Sequence, residues 1–146
     1  MKIFLLILLL FPVIALGQEA DSVLKLQTGI DRIMIVKVNF SFDVVVNVDC
    51  DEFYSQFGGI CDTIIINSQR DIKSIKSYLD NSKKSDLYVD ARGKMYIYYI
   101  SGRTDVLCIN SGESYRLNDE SMLFPDTKLM EWVDSLKQDH ERHWGN

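Results

Sequence analysis

The chain has 146 residues, of which 47% are hydrophobic and 25% are charged, and its formal net charge is −5. This composition is typical of a globular protein and excludes a disordered, collagen-like or multi-span membrane chain. Nucleic acid is not an expected partner, because phosphate binding requires clustered Lys and Arg. The densest basic stretch, residues 73–84, is instead interrupted and flanked by Asp.

The first 17 residues have the pattern of a signal peptide. Lys2 precedes an apolar run over residues 3–16, which is shorter than the roughly 20 residues that a transmembrane helix needs. Ala15-Leu16-Gly17 then has small residues at the positions that signal peptidase requires. We therefore expect a mature domain of residues 18–146, with 15 basic and 21 acidic residues and a net charge of −6. We expect it in the periplasm or outside the cell, in contact with the membrane only during export.

Runs of β-branched, aromatic and other apolar residues predict the strands. The predicted strands cover residues 32–38, 43–48, 63–67, 87–91, 94–100, 106–110 and 115–118. The first two runs are apolar almost throughout, which predicts burial on both faces of the sheet. The last four are separated by short turns that contain glycine, a spacing typical of an antiparallel meander.

Three helices are predicted from capping residues and from apolar spacing. Asp49 and Glu52 have the spacing of a capping box and predict a short helix that ends at Gly58. Apolar residues on one helical face predict an amphipathic helix over residues 69–81. The third predicted helix begins after Pro125, where apolar residues again recur at helical spacing.

Together these elements predict a single α+β domain. Its sheet is mostly antiparallel and contains a four-strand meander, and the helices cover one face of the sheet. The order of one helix followed by a meander, over about residues 69–118, resembles the plan of cystatin-like and protein-inhibitor domains.

Three cysteines, Cys50, Cys61 and Cys108, allow one disulfide and leave one thiol in an oxidising compartment. Their spacing leaves the pairing open, because a Cys50–Cys61 bridge closes a loop of about 12 residues and a Cys50–Cys108 bridge one of about 59. We expect Cys50 to be oxidised, since a helix N-terminus favours the reactive thiolate. Cys61 is its preferred partner, and Cys108, within an apolar strand, is expected to be a buried thiol.

The sequence predicts no catalytic residue, no metal site and no cofactor. Its two histidines, His140 and His143, lie near the C-terminus, which argues against a Ser-His-Asp or Cys-His mechanism. Paired Cys or His at zinc-site spacing is absent from the sequence. Carboxylates offer the remaining route to catalysis, as in glycosidases, and the candidates are Asp49, Asp51, Glu52, Asp90 and Asp105.

Five residues are candidates for a binding surface. Tyr88, Asp90 and Arg92 alternate along one predicted strand, so they share a face, and Asp90 and Arg92 are expected to form an ion pair. Tyr96 and Tyr98 share a face of the next predicted strand. An exposed, tyrosine-rich sheet face is a surface that protein or carbohydrate partners use.

These patterns predict a non-enzymatic protein-binding module of the bacterial cell envelope, of the inhibitor or immunity type. The prediction rests on the signal peptide, the small domain, the missing catalytic histidine and the tyrosine-rich strands. The alternative is a small-ligand or glycan binder, or a weak carboxylate-dependent hydrolase, with a pocket between the sheet and the last helix near Trp132. The sequence identifies no particular protein partner.

Overall fold

A computed structural model of the chain describes residues 29–41 and 45–136. The predicted signal peptide and both histidines lie outside these residues. The strands are β1 (Ile30–Lys37), β2 (Asp62–Ile66), β3 (Lys83–Lys84), β4 (Gly93–Tyr99), β5 (Thr104–Ile109), β6 (Ser114–Leu117) and β7 (Glu120–Leu123). The helices are α1 (Phe53–Phe57), α2 (Gln69–Asp80) and α3 (Lys128–Ser135). Within the described residues, no helix combines the length and the apolar character needed to cross a bilayer.

All seven strands form one sheet, in the order β2-β1-β4-β5-β6-β7-β3. Every neighbouring pair is antiparallel. Strands β4 to β7 are consecutive along the chain and adjacent in the sheet, so they form a four-strand meander. The predicted α+β class, with a mostly antiparallel sheet and a four-strand meander, is confirmed.

The two faces of the sheet carry separate hydrophobic clusters. Ile33 and Ile35 of β1 point to one face, where the apolar sides of α2 and α3 pack. Val36, the next residue along β1, points to the opposite face and packs against Phe53 and Phe57 of α1. α2 and α3 therefore lie on one face and α1 on the other, so the prediction that the helices cover a single face is not confirmed. We call these the α2 face and the α1 face.

The segment predicted as a second strand, residues 43–48, is not a strand over its described part, residues 45–48. Val45 and Val46 are exposed, and only Val48 is buried. Val48 packs in the cluster under α1, and its carbonyl accepts a hydrogen bond from the Ala91 N–H at 2.8 Å. This valine-rich segment is therefore a loop, and its described part is held to the core by the buried Val48 side chain and by this hydrogen bond.

The run 87–91 is also a loop and not the first strand of the meander. The fourth strand is instead β7, which the sequence did not predict because its residues, Glu-Ser-Met-Leu, are partly polar and few. β6 and β7 are joined at Asn118 and Asp119, which both have positive φ, 50° and 65°. Two consecutive residues of this conformation match the twist of an antiparallel hairpin, and Asn and Asp tolerate it best.

The predicted starts of α1 and α2 have different outcomes. The Ser68 hydroxyl caps α2 by accepting a hydrogen bond from the Asp71 N–H. The predicted helix over residues 69–81 is thus confirmed, with its start at the expected position. The predicted capping box of α1 is wrong, because α1 has no side-chain cap. Asp49 instead accepts from the Cys50 N–H at 2.7 Å and forms a 2.8 Å ion pair with Arg116 of β6.

The disulfide joins Cys50 to Cys108, with a Cα–Cα distance of 5.8 Å. Oxidation of Cys50 is confirmed, but the preferred pairing with Cys61 is wrong, and Cys108 is not a thiol. Cys108 points to the α1 face of β5, within the same cluster that Cys50 packs against. Cys61 is a free thiol that packs at the edge of the same cluster and donates a hydrogen bond to the Phe57 carbonyl. Burial, and then the nearby Asp62 carboxylate, raises the pKa of Cys61.

Lys37 at the end of β1 is completely buried. Its ammonium group lies 2.7 Å from the Asp134 carboxylate of α3 and 4.4 Å from the ring centre of Phe40. A buried ammonium is stable only when it is paired. This ion pair therefore fastens α3 to the central part of the sheet.

We expect the Cys50–Cys108 bridge to stabilise the fold by about 4 kcal/mol, because it closes a loop of about 59 residues in the unfolded chain. The measurement is urea denaturation of the double variant Cys50→Ser, Cys108→Ser beside the oxidised protein. Cys61→Ser is the matched control and should leave the stability nearly unchanged. Peptide mapping without reduction should recover Cys50 linked to Cys108, and a Cys50–Cys61 peptide would contradict this pairing.

Asp134→Asn should lower the free energy of unfolding by about 1–3 kcal/mol, because it leaves the Lys37 ammonium buried without its counter-charge. The estimate is at the low end for buried pairs, since the Asp134 side chain is 43% exposed. Lys37→Met is the control that removes the buried charge and keeps the apolar chain, so it should cost less. Equal losses for the two variants in urea denaturation would contradict this role of the ion pair.

Candidate functional site

A continuous part of the α1 face lies beyond the area that α1 covers. The strand registers place its side chains next to one another across four strands. Ile65 of β2 pairs with Met34 of β1, and Met34 pairs with Tyr96 of β4. We call this surface the tyrosine face, and its residues are Arg32, Met34, Ile65, Tyr96, Tyr98 and Val106.

The two tyrosines of β4 form the centre of the tyrosine face. The rings of Tyr96 and Tyr98 stack, with centroids 6.5 Å apart and planes 18° from parallel. The guanidinium of Arg32 lies over the Tyr98 ring, 4.5 Å from its centre. Stacking and cation–π contact restrict the side chains before any partner arrives, which lowers the entropy cost of binding.

Tyr96 is tied to α1 through its hydroxyl, which is 2.7 Å from the hydroxyl of Tyr54. Burial, followed by this hydrogen bond, raises the pKa of Tyr96. The ammonium of Lys94 lies 5.0 Å from the Tyr54 ring centre. The phenol of Tyr96 therefore stays protonated at neutral pH, and the pair of hydroxyls can both donate and accept hydrogen bonds.

Aliphatic side chains lie on either side of the tyrosines. Ile65 is 60% exposed and Val106 is 41% exposed. Single exposed apolar residues are ordinary, but several beside aromatic rings on one face are typical of interaction sites. The tyrosine face can therefore bury apolar surface and form hydrogen bonds at the same time.

The other three candidate binding residues lie on the loop of residues 85–92. Asp90 and Arg92 form the expected ion pair, at 2.5 Å, but the Arg92 side chain is only 10% exposed. Asp90 also accepts from the Val48 N–H at 2.8 Å, so the pair holds two loops together. Tyr88 is exposed on this loop. Partial loss of solvent around the phenol, and then the nearby Asp49 and Asp90 carboxylates, raise the pKa of Tyr88. The structure thus brings Tyr96 and Tyr98 together and places Tyr88, Asp90 and Arg92 elsewhere.

Sequence reasoning missed Arg32, Ile65, Val106 and Tyr54. Arg32 and Val106 are exposed residues that lie within strands, and both were predicted to lie in strands but not on a shared surface. Only the register between strands places them beside Tyr96 and Tyr98. Register is set by contacts distant in sequence, and local patterns do not contain it.

Three of the five carboxylates considered for catalysis have partners within the protein. Asp49 is paired with Arg116, and Asp90 with Arg92. Asp105 accepts hydrogen bonds from the Tyr99 hydroxyl and from Arg103. Over residues 29–41 and 45–136, no group of three or more His, Cys, Asp or Glu side chains is placed to hold a metal ion. These contacts give Asp49, Asp90 and Asp105 structural roles.

No protein-family model, curated protein or solved structure matches this chain. Among the described residues, the tyrosine face combines aromatic, aliphatic and cationic side chains on a regular part of the sheet.

We expect Asp90→Asn to lower the free energy of unfolding by about 1–3 kcal/mol, because the buried Arg92 guanidinium loses its counter-charge. Asp86→Asn is the matched control, since Asp86 is an exposed carboxylate in the same loop. Its effect should stay within about 0.5 kcal/mol. Urea denaturation measures both variants, and equal losses would show that the Asp90–Arg92 pair does not hold the loop.

Proposed function

We propose that the protein is an exported, non-enzymatic module that binds another protein through the tyrosine face. The observation that supports this is the pair of stacked tyrosines, Tyr96 and Tyr98, between two exposed aliphatic side chains on one sheet face. Tyrosine is favoured in protein interfaces, because its ring buries a large area and its hydroxyl still forms a hydrogen bond. The module would act as an inhibitor or immunity-type protein that masks its partner.

The face also suggests the chemistry of that partner. Ile65 and Val106 gain most from an apolar surface that excludes water from them. Arg32 is half exposed and offers guanidinium N–H groups, which favour carbonyl or carboxylate oxygens. We therefore expect a partner with an apolar centre and hydrogen-bond acceptors at its rim.

The proposed location is the periplasm or the exterior of a bacterial cell. The Cys50–Cys108 disulfide is compatible with this, since such bonds form and persist in oxidising compartments. The signal-peptide pattern of residues 1–17 supports the same location.

A glycan binder is the second candidate. The predicted pocket near Trp132 was placed between the sheet and the last helix, but the cleft at this residue lies between α2 and α3. It has a volume of about 330 Å³ and is lined in part by Tyr78, Trp132, Arg70 and Lys128. Aromatic rings beside charged groups suit a sugar, which stacks on one and hydrogen-bonds to the other.

The test of the tyrosine face uses the mature protein immobilised on a resin and incubated with a bacterial envelope extract at low and moderate salt. The double variant Tyr98→Ala, Val106→Ser should reduce retention of the bound protein by about tenfold or more, as expected for residues at the centre of an interface. Tyr88→Ala is the matched control, because it removes an exposed tyrosine outside the tyrosine face and should leave retention unchanged.

Two results would overturn the proposal. The first is that the resin retains no protein at either salt concentration. The second is that the Tyr88→Ala variant loses the same protein to the same degree as the double variant. Retention that is unchanged in both variants but lost on addition of a soluble glycan would instead favour the cleft at Trp132.

A further inference from the structure

A second concave site lies on the opposite face of the sheet, under the C-terminal half of α2. It is a cleft of about 430 Å³, which is within the range of about 300–1,000 Å³ that is usual for small-molecule sites. It opens between Leu79 of α2 and strands β4 to β7. It shares no lining residue with the tyrosine face.

The floor of the cleft is apolar. The side chains that form it lie on the α2 face of the meander and are Ile97, Leu107, Tyr115, Leu117 and Met122. Ile97 and Leu107 are almost completely buried, so the floor is a fixed part of the core. Leu79, Leu117 and Met122 are only partly buried, so an apolar chain laid against them would remove their hydrocarbon surface and its own from water.

The rim of the cleft carries an arginine whose plane is held in place. The Arg103 guanidinium stacks over the Tyr99 ring, 4.0 Å from its centre, and donates to the Asp105 carboxylate at 2.9 Å. The Tyr99 hydroxyl donates to the same carboxylate oxygen at 2.8 Å. Burial, and then this hydrogen bond, raises the pKa of Tyr99, so the phenol remains a donor at neutral pH.

Arg103 retains hydrogen-bonding capacity after these contacts. A guanidinium has five N–H donors, and the contact with Asp105 uses Nη2. The Arg103 side chain is 62% exposed, so its other donors can reach a ligand at the mouth. Lys76 at the same mouth is 53% exposed and is paired with Asp80, so the mouth carries two cations, each beside a carboxylate of the protein.

We infer that this cleft binds a small amphiphile, whose apolar chain lies on the floor and whose terminal carboxylate is bound by Arg103. The inference is independent of the proposed protein-binding function, because it concerns the other face of the sheet. The carboxylate is the favoured head group, since the planar guanidinium fork matches it and charge-assisted hydrogen bonds are the strong ones.

The test measures binding of octanoate and of octan-1-ol to the mature protein by isothermal titration calorimetry. Octanoate should bind at a single saturable site, and octan-1-ol about tenfold more weakly, because it lacks the charge. Arg103→Gln should weaken octanoate binding by about tenfold and leave octan-1-ol binding unchanged. Arg32→Gln is the matched control, since it removes an arginine from the tyrosine face, and it should alter neither affinity.

Methyl NMR spectra of the unaltered protein locate the bound chain. Octanoate should shift the methyl signals of Ile97, Leu107 and Leu117 and leave those of Ile65 and Val106 on the tyrosine face in place. Leu117→Trp, which fills the cleft, should abolish the shifts.

Three outcomes would overturn the inference. They are the absence of saturable octanoate binding, shifts confined to the tyrosine face, and equal affinities for octanoate and octan-1-ol. The last outcome would leave an apolar cleft without the carboxylate site.

Discussion

The burial of β1 on both faces is the constraint on which most of the structure depends. Ile33 and Ile35 are fully buried on the α2 face, and Val36 is almost fully buried on the α1 face. Burial of each such side chain contributes roughly 1.5–3 kcal/mol relative to its exposure. Because successive side chains of a strand point to opposite sides, a two-sided core requires cover above and below. The pair α2 and α3 supplies one cover, and α1 with the Cys50–Cys108 bridge supplies the other.

The sequence predicted secondary structure correctly where the local hydrophobic pattern of a segment matches its burial in the fold. The β-branched run of β1 and the amphipathic pattern of α2 both lead to the structure that they predict. The runs at 43–48 and 87–91 have the same composition as strands but lie in loops over their described residues. Only one or two side chains of each are buried, Val48 in the first and Val89 and Ala91 in the second. Hydrophobicity thus predicted that these segments contact the core, but not that they pair in the sheet.

In the candidate site too, the sequence predicted the local features and missed those that depend on strand pairing. The alternation of Tyr96 and Tyr98 is local, so their shared face followed from the sequence. Their neighbours Arg32 and Val106 lie about 64 and 10 residues from Tyr96, and the pairing of strands brings them together. The disulfide is non-local in the same way, because its partners are separated by 58 positions. Loop-closure entropy alone distinguishes the two possible partners of Cys50 only weakly, so the tertiary fold decided the pairing.

The two edges of the sheet are unlike, and this asymmetry limits how copies of the chain can associate. The β3 edge is two residues long and carries the exposed Lys83 and Lys84, and short, lysine-bearing strands resist further pairing. The β2 edge is longer and contains three consecutive isoleucines, and no strand of the described residues pairs with its outer side. Over the part of the chain that the structure describes, the sheet can therefore be extended on one side only. Two chains joined through their β2 strands would present a lysine edge at each end, so such an assembly closes as a pair and does not grow into a fibre.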